Sequence, residues 1–110
     1  MDFVKAAGTA DVPPGTMRMV RVGEKDVLIA NIEGKYYAIG GLCTHRQGVL
    51  ARGTLQGNVV TCPRHGSMFD VTTGKNMAGP RQLLGGGRGT TGDEPSYEVK
   101  VEGDSILVKV

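Results

Sequence analysis

Apolar residues recur along this chain mostly with a period of two, in short runs cut by glycine-containing turns, and that spacing predicts strands rather than helices. Val27-Leu28-Ile29-Ala30-Asn31-Ile32, then Glu33-Gly34-Lys35, then Tyr36-Tyr37-Ala38-Ile39 reads as a hairpin, with Gly34 supplying the positive φ that a tight turn needs. Leu55-Gln56-Gly57-Asn58-Val59-Val60 predicts a second tight turn, entering a strand that ends at Cys62. At the C-terminus Tyr97, Val99 and Val101 alternate with Glu98, Lys100 and Glu102, and a Gly103-Asp104 turn leads into Ile106 to Val110, a third and half-buried hairpin. Met17 to Val22 is a further candidate strand, and Asp11-Val12-Pro13-Pro14-Gly15 before it suits only a loop. No long amphipathic helix is predicted. Short strands with Gly/Pro turns and no helical alternation define an all-β fold, a small antiparallel β-sandwich or barrel.

A length of 110 residues predicts a single domain over 1–110 with one modest core. Gly85-Gly86-Gly87-Arg88-Gly89-Thr90-Thr91-Gly92-Asp93-Glu94-Pro95 is too glycine-rich for that core and is read as a mobile surface insertion at about 85–96. It is no phosphate-binding fingerprint, because no strand and helix flank its glycines. Met1-Asp2-Phe3-Val4-Lys5 lacks the basic stretch and apolar run of a secretory signal, and no apolar run approaches the roughly 20 residues that span a bilayer. The expectation is a cytoplasmic protein with no membrane contact.

The candidate chemistry lies in two short pairs, Cys43-Thr44-His45 and Cys62-Pro63-Arg64-His65, which together hold both cysteines and both histidines of the chain. Cys and His are the natural ligands of zinc and iron, and without an export signal reduced thiolates on metal are a better reading than a disulfide. In zinc fingers two cysteines precede two histidines, whereas here each pair holds one of each. In C-x-H the two side chains sit too close to aim easily at one ion. Two ions a few ångströms apart can each take one, which favours a binuclear cluster with both thiolates on one iron and both imidazoles on the other.

From Cys43 to Arg81, five cations (Arg46, Arg52, Arg64, Lys75, Arg81) face Asp70 alone, a balance of +4 that leaves −2 for the rest of a chain of net charge +2. The cluster end is thus the basic end. Few aromatics and no recognisable reader motif argue against nucleic acid as the partner of that patch.

The stretch Cys43-Thr44-His45-Arg46-Gln47-Gly48-Val49-Leu50, with Gly53, Cys62-Pro63-Arg64-His65-Gly66-Ser67-Met68-Phe69-Asp70, Thr73-Gly74 and Gly79-Pro80, resembles the signature of Rieske-type [2Fe–2S] ferredoxins. The resemblance covers nearly the whole chain outside the glycine-rich stretch. It implies a cluster-binding subdomain of two ligand loops and a Pro loop, one [2Fe–2S] cluster, Cys43 and Cys62 on the inner iron and His45 and His65 on the outer iron. Gly48 and Gly66 let the backbone bend around such a cluster so that N–H groups can donate to its sulfurs, and Pro80 belongs to the loop that covers it. Ser67 matches the position at which respiratory Rieske proteins place a serine that donates to a bridging sulfide, although it could equally cap a loop. Phe69 stands where those proteins carry a donating tyrosine, and its plain role is packing. A potential below the respiratory type is expected.

The function implied is one-electron transfer, from a flavin-containing reductase to a terminal oxygenase or another oxidoreductase. Catalysis is not expected, because an oxygenase needs a second iron held by two histidines and a carboxylate, and both histidines are committed. Two alternatives stay open on the residues: a small subunit of a larger oxidoreductase such as a nitrite reductase, and a zinc-stabilised binding module.

Overall fold

The computed structural model describes residues 3–42, 49–63, 66–78 and 93–110, and ten strands lie among these described residues. In chain order these are β1 (Val4–Gly8), β2 (Met17–Val22), β3 (Lys25–Ile32), β4 (Lys35–Gly40), β5 (Thr54–Gln56), β6 (Val59–Thr61), β7 (Met68–Asp70), β8 (Asn76–Ala78), β9 (Ser96–Glu102) and β10 (Ser105–Lys109). Six form one antiparallel sheet in the order β1-β10-β9-β4-β3-β2, whose outer strands β1 and β2 approach each other and nearly close a barrel. The other four form a smaller antiparallel sheet, β5-β6-β7-β8. The all-β expectation holds, as do the three predicted hairpins, β3–β4, β5–β6 and β9–β10.

The run at Val27 to Ala30 explains how the two sheets meet. It is apolar at every position, as a strand buried on both faces must be. Val27 and Ile29 point into the barrel with Ala38, Ile106 and Val108, while Leu28 and Ala30 point the other way, with Ile39, onto Leu50, Val60, Phe69 and Val71. One strand therefore supplies both cores, and the small sheet is fixed against the outside of the barrel wall.

The β3–β4 turn is tight, since Ile32 pairs with Lys35 across Glu33 (φ 54°) and Gly34 (φ 93°). Positive φ at both central residues matches the right-handed twist of the flanking strands. Asn31, 2 % exposed, ties this turn down: its Nδ2 donates to the Val12 carbonyl (2.8 Å) and its Oδ1 accepts from the Gly34 N–H (2.7 Å).

Besides the short strands β7 and β8, which the apolar pattern does not predict, three features depart from the sequence reading. β1 was not foreseen, because Val4-Lys5-Ala6-Ala7-Gly8 has little apolar alternation; it exists by pairing with β10, with an irregularity between Lys5 and Ala7. Thr9–Asp11 is a short 3-10 turn, so the loop expected from Asp11 begins with one residue of defined structure. The insertion expected at about 85–96 is corrected at its C-terminal end: residues 85–92 lie outside the described residues, but Asp93 to Ser96 are built into the fold. Ser96 pairs with Ile39, and the Gly40 N–H donates to the Pro95 carbonyl (2.9 Å), which extends the β4–β9 ladder by one step. Sheet pairing overrides the glycine-rich composition there.

Candidate metal centre

Two loop stems define the site. Past β4, the Gly41 N–H donates to the Asp26 carbonyl (2.8 Å), Leu42 bridges Val49 in antiparallel fashion, and the Leu50 N–H returns to the Gly41 carbonyl (3.1 Å). These bonds hold Leu42 and Val49, the described residues on either side of segment 43–48, next to each other. Cys43, His45 and Gly48 belong to that segment and lie outside the described residues. The chain then makes a 3-10 turn over Leu50–Arg52 and enters β5.

The second stem is built by β6 and β7. The Cys62 N–H donates to the Ser67 carbonyl (2.7 Å) and the Gly66 N–H to the Cys62 carbonyl (3.1 Å), closing a loop that opens at Cys62 and ends at Ser67. Gly66 has φ 82°, a conformation that favours glycine. His65, between these ends, lies outside the described residues. The two stems are neighbours: Leu50, Val60, Cys62 and Phe69 share one core, and Gly53 packs so closely on the Thr61 carbonyl that a Cβ there would collide with it.

Cys62 is 2 % exposed within that core. A cysteine sulfur at the start of a loop is a soft ligand that suits iron. Ser67 points to the same conclusion. It is fully buried, and its Oγ has no hydrogen-bond partner, so it caps no loop, the second of its two expected roles. A buried hydroxyl without an acceptor costs about 1–3 kcal/mol. An inorganic sulfide beside Cys62 would provide that acceptor, so the residues present fit an iron–sulfur group. Phe69 is fully buried against Leu28, Val60 and Val71, the packing role expected of it.

The third loop leaves from the same sheet. β8 pairs with β7 and leads toward Gly79-Pro80, which lie outside the described residues. The start of β8 is secured by a strap that sequence reasoning missed. The Asn76 N–H donates to Asp93 Oδ1 (2.8 Å), and the Glu94 N–H donates to the Gly74 carbonyl (2.7 Å). Glu94 is itself buried. The one signal available was a Pro after two acids at the end of the glycine-rich stretch, too weak to single out. Burial, and then the negative charge of Glu94, push the Tyr97 phenol above its ordinary value of 10.0. Arg52 and Lys75, two of the cations counted at this end, are exposed.

The profile of the Rieske [2Fe–2S] domain matches residues 2–83. The chain belongs to this family. Among individual Rieske relatives, the ferredoxin component of the naphthalene 1,2-dioxygenase/salicylate 5-hydroxylase systems of Ralstonia sp is 33 % identical over 109 residues, covering 99 % of this chain and 96 % of its own. The ferredoxin of carbazole 1,9a-dioxygenase from Nocardioides aromaticivorans IC177 superposes with a TM-score of 0.83 at 29 % identity, covering 98 % of this chain and 97 % of that one. A ferredoxin solved in complex with the oxygenase of carbazole 1,9a-dioxygenase gives a TM-score of 0.79 at 32 % identity, covering 96 % and 91 %. This Rieske chain thus carries a [2Fe–2S] cluster and serves as an electron carrier rather than a catalyst. Its matched relatives are ferredoxin components, which favours neither the nitrite-reductase-type subunit nor the zinc module. Among the described residues no helix is long and apolar enough to cross a membrane.

Proposed function

We propose that Cys43 and Cys62 hold one iron and His45 and His65 the other iron of the [2Fe–2S] cluster, and that the protein relays single electrons from a flavin-containing reductase to a terminal oxygenase in the cytoplasm. When bound, the cluster takes up and gives back one electron. The remaining tasks fall to the chain. Cys62, Leu50 and Phe69 close the inner side to water, and Gly66 allows the second loop to bend back on its stem. Ser67 offers a donor to a sulfur, and the exposed cations at this end favour arrival of negative charge.

The observation that carries the reading is the buried Cys62 thiol beside the partnerless Ser67 hydroxyl, in a loop stem that packs on the stem of the first loop. The oxygenase as acceptor is supported by the solved complex of a similar ferredoxin with its oxygenase. Two thiolates on iron suit a reducing compartment. The test is spectroscopic. Purified protein should be coloured and, after dithionite reduction, give an electron paramagnetic resonance signal with the low average g of a mixed Cys/His cluster. Substituting any one of Cys43, His45, Cys62 or His65 by Ala should abolish it. Retention of the signal in any of these four variants would refute the ligand set, and a colourless zinc protein would refute the function.

A further inference from the structure

Next to the first ligand-loop stem lies an open cavity of about 230 Å³, lined by the backbone of Gly40 to Leu42 and by Glu94 and Tyr97, with Lys25 and Asp26 as the other charged groups on its wall. Of its two acids Glu94 is the buried one, 5 % exposed, whereas Asp26 is half-buried and pairs with Arg21. A Cβ on Gly40 would displace the Glu94 carboxylate from its present position and press on the Pro95 ring. The backbone around Glu94 is fixed from both sides: its N–H donates to the Gly74 carbonyl, and the Pro95 carbonyl accepts from the Gly40 N–H. From Gly40 the chain reaches Cys43 in three residues, a span of at most about 11 Å.

We propose that Glu94 is a determinant of the cluster's reduction potential: its buried negative charge, held against the backbone that leads into Cys43, holds the potential down. The sign follows from charge. Reduction adds one negative charge to the cluster, and a fixed anion nearby disfavours the reduced form. Burial matters because solvent and salt screen a buried charge far less than an exposed one. The upward displacement of the Tyr97 phenol, caused first by burial and then by Glu94, is consistent with a carboxylate charge felt by its neighbours. Glu94 thereby opposes the cations between Cys43 and Arg81, so that two sets of charges set the potential from opposite directions.

This role rests on the ligand assignment above, and the experiment separates the two. Midpoint potentials are measured by mediated titration, followed by visible circular dichroism, on the wild-type protein and on Glu94→Gln, Glu94→Met, Glu94→Asp and Glu33→Gln. The two neutral variants at position 94 should shift the midpoint to more positive values and Glu94→Asp should restore it. Glu33→Gln, which removes the same charge from the turn at the opposite end of β3 and β4, should leave it unchanged. A cluster spectrum with an unmoved midpoint in the neutral variants overturns the proposal, as does an equal shift in Glu33→Gln. If neither neutral variant holds a cluster that Glu94→Asp holds, the carboxylate is a structural anchor and the proposal is likewise overturned. A wild-type protein without the cluster spectrum would refute the ligand assignment instead.

Discussion

Ser67→Ala separates an electronic role from a structural one. The Ser67 hydroxyl is fully buried and reaches no protein acceptor, so in the loaded protein its donor is available to a cluster or cysteine sulfur. Hydrogen bonds to charged groups contribute about 1.5–3 kcal/mol and those between neutral groups about 0.5–1.5 kcal/mol, so one added negative charge on reduction strengthens this bond by about 1 kcal/mol. For a one-electron couple 59 mV corresponds to a tenfold change, or about 1.4 kcal/mol, which places the shift near 40 mV. Ser67→Ala should therefore lower the midpoint by roughly 40 mV in a mediated titration. Its stability should fall by about 1 kcal/mol as well, since the oxidised protein loses the same bond, while the Cys62 N–H keeps its bond to the Ser67 carbonyl. A purely structural hydroxyl would lose about 1 kcal/mol of stability with the potential unmoved. That outcome, or an unchanged midpoint by itself, would refute the donor role.

Three further predictions concern the scaffold. Asn31→Ala removes the bonds to Val12 and Gly34 and leaves a buried carbonyl and a turn N–H without partners, so urea denaturation should show a loss of about 2–4 kcal/mol. Glu33→Asn should stabilise by roughly 0.5–1 kcal/mol in the same assay, because Asn tolerates the positive φ that Glu33 adopts at the first position of the turn. The Tyr97 phenol holds its proton more tightly in the folded than in the unfolded state. Its contribution is therefore complete below the ordinary tyrosine range and is lost as pH rises through the folded-state value, so Tyr97→Phe should flatten the decline in melting temperature above about pH 10.

What was legible in the sequence was local. The β3–β4 hairpin shows in an uninterrupted apolar run followed by Glu33-Gly34, and β9–β10 in strict alternation around Gly103-Asp104, because register and turn are written within a few residues of each other. The ligand loops show for the same reason, each with Cys and His two or three residues apart. β1 escaped because its reason for being a strand is β10, about a hundred residues away, and β7 and β8 escaped because each is three residues long, too short for an alternation to show. The strap at Asp93 to Pro95 was hidden more deeply. Nothing near Glu94 marks a buried position; its backbone is brought in because Gly74 has no side chain to strike the Glu94 carbonyl and accepts from the Glu94 N–H, and because the Gly40 N–H donates to the Pro95 carbonyl, residues 20 and 54 positions before Glu94. The sequence thus displays the groups that touch the metal far more openly than those that set its electrostatic surroundings. Ligands must be adjacent on a loop to chelate, whereas a charge acts through space and can be supplied by any part of the chain that the fold brings near.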